Sequence, residues 1–146
     1  MNWTLLTIGK PRLAYARSGM DEYARRLRGV AQIRHEALKN STREAESALL
    51  LKRSEGMFRI ALDERGELLS SRAFAGRVSE WENGGIRNVA LLIGGSDGHT
   101  PELRAAADWC WALSPLTLQH ELALVVLYEQ IYRAYTIKAG LPYHRD

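Results

Sequence analysis

The run Val89-Ala90-Leu91-Leu92-Ile93 stops abruptly in Gly94-Gly95-Ser96-Asp97-Gly98. Five apolar residues followed by three glycines within five positions read as a buried strand entering a loop whose backbone is open to close approach. Thr100-Pro101-Glu102 then supplies a helix N-cap, a proline at the first helical position and an acid in the first turn. Strand, glycine loop and helix follow in that order. In an open parallel sheet, ligands sit at the carboxyl ends of strands, where such loops lie.

The rest of the chain supplies a sheet for this loop. Trp3 to Ile8 reads as a first strand, ended by Gly9. A helix spans about Leu13 to Arg28, with Tyr23, Ala24 and Leu27 on its inner face, and Gly29 stops it. Val30 to Leu38 alternates weakly as a second strand. Ser41-Thr42-Arg43-Glu44 reads as a capping box opening a helix to about Arg53. Met57 to Leu62 is a third strand, followed by the charged turn Asp63-Glu64-Arg65-Gly66. Ser70 caps a helix to Trp81, broken at Asn83-Gly84-Gly85. Val89 to Ile93 is the fourth strand and Asp108 to Leu113 the fifth, with a helix from Pro101 between them. The loop Ser114 to Gln119 leads into a long helix from about His120 to Ala139, ended by Gly140 and Pro142. Five alternations of strand and helix predict an α/β fold with a mostly parallel sheet, in a single domain over residues 1–146.

The last helix carries Leu122, Val125, Val126 and Ala134 on one side and Leu124, Leu127, Tyr128, Ile131 and Tyr135 on another. A helix apolar nearly all round is buried nearly all round. It is either the central helix of the domain or is covered by a second chain. For so short a chain the second is expected.

Composition narrows the classes. Met1-Asn2-Trp3 leads straight into a strand-like run, so no signal peptide is expected, and no apolar segment has transmembrane length. One cysteine, Cys110, allows no intrachain disulfide and suits a reducing cytoplasm. One Cys and four scattered His give no metal-ligand spacing. The net charge is +3, but residues 10–34 carry seven basic residues against Asp21 and Glu22, a local charge of +5. That stretch is either a solvated helix face or a phosphate-contacting surface, with Arg25 and Arg26 as candidates.

Gly94-Gly95-Ser96-Asp97-Gly98 also matches G-x-S-x-G, the nucleophile elbow of α/β-hydrolases, with His120 or His144 as possible bases. The elbow needs its helix directly after the serine, and here Thr100-Pro101 starts it later. The loop is neither a P-loop nor G-x-G-x-x-G. The second loop, Leu113-Ser114-Pro115-Leu116-Thr117-Leu118, puts apolar side chains and free backbone at another strand end. Such a loop wraps an adenine, with side chains over the ring and backbone groups at its edge. A serine esterase using Ser96 and a non-catalytic RNA-binding module remain the alternatives.

Four segments carry a more specific resemblance: Leu-Leu-Ile-Gly-Gly-Ser-Asp-Gly at 91–98, Trp-Ala-Leu-Ser-Pro-Leu-Thr-Leu-Gln-His at 111–120, Glu-Gln-Ile-Tyr-Arg-Ala at 129–134 and Pro-Tyr-His-Arg-Asp at 142–146. Together they resemble the RlmH family, small SPOUT-class methyltransferases of large-subunit ribosomal RNA. The resemblance implies an α/β fold with a C-terminal trefoil knot, a cytoplasmic homodimer and S-adenosylmethionine as methyl donor. It implies methylation of a pseudouridine at N3 in helix 69 of 23S rRNA (conventional position 1915), with ribosomal RNA in the ribosome as the partner; composition adds the expectation of no metal and no membrane. By motif match the donor site involves Leu62, Gly94, Gly95, Ser114, Pro115, Leu116, Thr117, Leu118 and Gln119. His144, Tyr143 and Arg133 are the catalytic candidates, and Arg145 joins Arg25 and Arg26 in RNA binding. The chain departs from the family at Ser96, where proline is frequent, and at Gln119-His120-Glu121, where Pro-His-Pro is common. A basic residue often stands near Leu124.

Overall fold

The computed structural model describes residues 1–144. Its elements alternate as β1 (Asn2–Ile8), α1 (Ala14–Leu27), β2 (Gln32–Leu38), α2 (Arg43–Arg53), β3 (Phe58–Leu68), α3 (Ser71–Asn83), β4 (Asn88–Ile93), α4 (Pro101–Ala106), β5 (Trp109–Ala112) and α5 (His120–Ala139). All strand pairs are parallel, in the order β2-β1-β4-β3-β5. Helices α1, α3 and α5 cover one face of this sheet, and α2 and α4 the other.

The handedness of crossovers dictates that division. The β1-to-β2 and β3-to-β4 connections step one way across the sheet; β2-to-β3 and β4-to-β5 step the other way. Right-handed crossovers in opposite directions must place their helices on opposite faces. β4 lies inside the sheet between β1 and β3, so both of its faces are covered and its run is apolar without alternation. Val89 and Leu91 join the first core; Ala90 and Leu92 join the second.

Helix α5 wedges between α1 and α3. Leu124, Leu127, Tyr128, Ile131, Ala134 and Tyr135 are buried there against Trp3, Leu5 and Leu91. Trp3 Nε1 donates to Tyr135 Oη at 3.1 Å, and Tyr135 Oη donates to Glu82 at 2.9 Å, tying β1, α5 and α3 together. The chain itself therefore covers most of the helix that was expected to need a partner. Ala134 belongs to the buried side, in helical step with Leu127 and Ile131, and not with Leu122, Val125 and Val126. Gly140 adopts φ 69°, and the Leu141 N–H closes on Thr136 O at 2.9 Å to end the helix.

Two local expectations need correction. Thr42, not Ser41, caps α2, its hydroxyl accepting from Ala45 N–H at 3.1 Å. Glu44 pairs with Arg43, and the carboxylate that reaches back to Ser41 N–H is Glu46, at 2.8 Å. The turn expected at residues 63–66 lies inside β3, which arches between Leu62 and Glu67 while both pair with Trp111 of β5. The arch works because Gly66 lies flat on the neighbouring backbone. A Cβ there would sit 2.6 Å from Cys110 C and Trp111 N. Backbone cannot yield as a side-chain tip can, so Gly66→Ala is expected to destabilise the fold by about 2–3 kcal/mol. Urea unfolding checks this; an unchanged midpoint would mean that the arch tolerates a methyl group.

Candidate active site

The arch in the middle of β3 and the carboxyl ends of β4 and β5 meet in a cleft of about 240 Å³. Leu62, Ile93, Trp111, Ala112 and Leu113 form its apolar walls, and Ser114, Leu116, Thr117 and Leu118 close it from the loop after β5. Asp63 and Glu64 bring two carboxylates to the lining, and His120 and Ala123 of α5 complete it. Leu116 is 73% exposed, which is costly for a leucine with nothing to cover it. The only bond that fixes the 114–118 backbone, among the described residues, runs from Leu116 N–H to Ser114 Oγ at 2.9 Å. The other amides and carbonyls of this loop are free to meet a ligand.

The cleft thus gathers Leu62, Ser114, Leu116, Thr117 and Leu118 of the expected donor set. Gly94, Gly95, Pro115 and Gln119 are absent from its lining. Gln119 caps α5, its Oε1 accepting from Glu121 N–H at 2.9 Å and Leu122 N–H at 3.0 Å. Gly94 sits where the loop folds back: a Cβ would lie 3.1 Å from Gly98 C and 3.2 Å from His99 Cε1. At Gly95 a Cβ would meet Glu46 Oε1 at 2.9 Å. Both glycines are explained by packing beneath the loop. His99 is buried there, its Nε2 on Leu92 O at 3.0 Å and its Nδ1 without a partner. Burial pushes its pKa down, so it is neutral at neutral pH.

A smaller recess adjoins the cleft through His120 and runs past Ile93 and Gly94 to Gly9, Lys10 and Pro11. Glu121 organises it. Its side chain is buried, and Oε1 accepts from Arg12 N–H at 2.7 Å and Leu13 N–H at 2.9 Å. Leu13 is the N-cap of α1 and has no capping side chain of its own. Glu121 supplies the missing acceptor from another helix. The resemblance leads one to expect proline at this position, and the glutamate found there has a structural task.

The C-terminal tail turns back onto α1 and α5. Tyr143 Oη donates to Glu129 at 3.0 Å and lies 3.3 Å from Tyr23 Oη. Its ring meets Tyr132 edge-on at 4.7 Å and carries the Arg133 guanidinium at 4.9 Å. Burial pushes the Tyr143 phenol up, so it remains a donor. Arg133 is held by Glu129 at 2.6 Å, the helical pair that the sequence allowed. His144 follows with a buried Nδ1 that has no partner among the described residues, and Arg145 lies outside them. Tyr143, Arg133 and His144 do not line the cleft of their own chain.

Residues 1–144 match the family described as "Predicted SPOUT methyltransferase". The chain is also 47% identical to Ribosomal RNA large subunit methyltransferase H of Thermus thermophilus, over 99% of both chains. It belongs to the RlmH family of SPOUT methyltransferases. The protein of the same name from Deinococcus radiodurans is 46% identical, again over 99% of each chain. Two solved structures share the fold. A probable methylase family protein from Haemophilus influenzae superposes with a TM-score of 0.57 at 12% identity, over 99% of this chain and 70% of that one. A putative RNA methyltransferase from Bacillus anthracis gives 0.54 at 13%, over 99% and 100%. SPOUT membership implies the C-terminal knot.

In this RlmH-family chain the glycine loop is not a nucleophile elbow. Ser96 makes no hydrogen bond to a histidine among the described residues, and α4 begins only at Pro101. No described group of three or more His, Cys, Asp or Glu could hold a metal, and no described helix is long and apolar enough to cross a membrane. The sequence reading did not single out Asp63, Glu64 or Ile93 as lining residues, nor place His120 at the cleft. Only the pairing of β3 with both β4 and β5 shows that these segments converge.

The Leu13 and Arg12 amides hold the Glu121 carboxyl below the usual carboxylate range, with His120 and Arg17 nearby adding to the effect. A group whose folded pKa is depressed stabilises the protein above its unfolded value of about 4.3, and loses that contribution as pH falls through the folded pKa. Glu121→Gln is therefore expected to lower Tm near neutral pH and to flatten the loss of Tm on acidification. Calorimetric melts from about pH 6 down to about pH 3 check it; parallel curves for wild type and variant would contradict it.

Proposed function

We propose that this protein transfers a methyl group from S-adenosylmethionine to N3 of a pseudouridine in helix 69 of 23S rRNA. It works in the cytoplasm, as a homodimer, on the ribosome. The observation that carries the reading is the cleft where the β3 arch meets the ends of β4 and β5, in a chain so similar to proteins named for ribosomal RNA methylation.

The cleft suits this donor. Leu62, Ile93, Leu113, Leu116 and Leu118 offer apolar cover for an adenine, and the loop backbone at 114–118, bonded only at Leu116 N–H among the described residues, offers donors and acceptors for its edge. Glu64 gives a positively charged ligand an opposite charge, while Asp63 is paired with Arg104 at 3.7 Å. When bound, the donor supplies an electrophilic methyl group. The chain's own residues orient it and handle the proton that N3 must release. His144 and Tyr143, with Arg133 beside them, serve the substrate base and its phosphate. Within one chain they are far from the cleft: Glu129, which holds Tyr143, is nine residues along α5 from His120, or about 14 Å of helix rise. A composite site resolves this, each tail working at the cleft of the other copy. Leu13, Tyr15, Leu116 and Leu122 are exposed and offer a second copy apolar surface beside the cleft and the first turn of α5.

Three measurements test the reading. Calorimetry should show stoichiometric S-adenosylmethionine binding, weakened about tenfold by Leu116→Ala, a loss of about 1.4 kcal/mol of apolar cover. No binding by wild type would end the proposal. Light scattering should give twice the chain mass of 16.5 kDa. Deleting residues 143–146 should leave the dimer intact and reduce donor affinity modestly, while transfer to ribosomes collapses. Transfer at the wild-type rate would remove His144 and Tyr143 from the mechanism.

A further inference from the structure

The cleft does not end at its own walls. His120 borders both the cleft and the recess beside it, and Lys10 and Pro11 border both that recess and a groove of about 400 Å³ between α1 and β2. Arg17, Met20, Asp21 and His35 line the groove with Lys10. Cleft, recess and groove therefore lie in succession along the carboxyl edge of the sheet, with the recess, of only about 20 Å³, a shallow step between the other two.

The charges along this edge differ from those elsewhere on α1. Arg25 and Arg26 both pair with Glu22, which offsets one of their two positive charges and holds both guanidinium groups. Lys10, Arg12 and Arg17 are exposed and have no carboxylate within ion-pair distance among the described residues. The one acid nearby on α5, Glu121, is turned onto backbone amides. Arg17 Nη1 donates to Arg12 O at 3.1 Å, which steadies the guanidinium beside the loop. The same loop is pinned by Glu121, so three cations are displayed from a fixed backbone. Asp21 is the single acid in the groove lining, against Lys10 and Arg17. At its floor His35 Nε2 lies 2.7 Å from Thr7 Oγ1, and burial pushes its pKa down, so it adds no fixed charge at neutral pH.

We propose that the sugar-phosphate strand flanking the target nucleotide leaves the cleft past His120 and lies in this groove, with Lys10, Arg12 and Arg17 on its phosphates. This rests on the RNA-methyltransferase reading above and adds the route of the RNA over the surface. Unpaired, positioned cations release counterions on meeting phosphate; cations already neutralised by a carboxylate contribute less. The groove, not the Arg25–Arg26 end of α1, is thus the main electrostatic contact.

The test compares two double variants of the full-length protein, Lys10→Ala with Arg17→Ala, and Arg25→Ala with Arg26→Ala, on intact ribosomes. Each removes two positive charges. The groove variant should weaken ribosome binding about tenfold and reduce the slope of log affinity against log salt by about 2, while the helix-end variant changes the slope by less than about 1. Donor binding and dimer mass should be unchanged in both. The groove variant should raise KM for ribosomes and leave kcat near wild type, because its residues do not touch the reacting atoms. Equal slopes for wild type and groove variant, or a larger effect at Arg25 and Arg26, would overturn the route. Wild type that binds the donor but neither binds nor methylates ribosomes would overturn the functional reading, and the route with it.

Discussion

The burial of α5 between α1 and α3 fixes both ends of the working surface. Leu124, Leu127 and Ile131 are almost wholly removed from water against β1 and β4. Each such side chain stabilises the fold by about 1.5–3 kcal/mol. A helix held over that length cannot slide by a turn without unpacking several residues at once. Its first turn is therefore fixed at the carboxyl edge of the sheet, where His120 borders the cleft and Glu121 meets the β1–α1 loop. Its last turns are fixed with equal firmness, and Glu129, Tyr132 and Arg133 receive the returning tail.

Internal carboxylates do for the loops what apolar packing does for the helices. The loops after parallel strands carry backbone amides that no ladder satisfies. Glu121 of α5 satisfies two of them before α1, and Glu46 of α2 satisfies the one at Ser41 while lying against Gly95. Each acid is buried and each belongs to an element other than the loop it holds. Removing such an acceptor leaves orphan donors in a dry site, which costs more than the bond itself contributes.

The alternation of strands and helices was legible because period and punctuation agreed nearly everywhere. All ten elements were anticipated, and α5 was read with its observed bounds because Gly140 ends it unambiguously. Charge misled the reading at 63–66: Asp63-Glu64-Arg65-Gly66 looks like a turn, yet Gly66 lets β3 arch against β5 and continue to Leu68. Long-range geometry was also hidden. No local pattern states that β4 inserts between β1 and β3, so the convergence of Leu62, Ile93 and Trp111 on one cleft could not be read along the chain. The same holds for Glu121, which looks like an ordinary surface acid in the first turn of α5, whereas the pairs of Glu22 with Arg25 and Arg26 are local to a helix that the sequence predicts.

The strand order explains why an apolar donor cleft and a basic groove share one edge. In an all-parallel sheet every strand presents its carboxyl end, and the loop after it, on the same side. The order β2-β1-β4-β3-β5 sets the glycine loop of β4 at the middle of that side. Toward β3 and β5 the edge carries leucines together with Asp63 and Glu64 of the β3 arch. Toward β1 and β2 the loop Gly9-Lys10-Pro11-Arg12 brings unpaired cations. In the proposed reading, a positively charged donor and a negatively charged strand are drawn to opposite flanks of the same glycine loop. Neither needs to cross the other's field, because α5 enters the edge between them, with His120 at the junction.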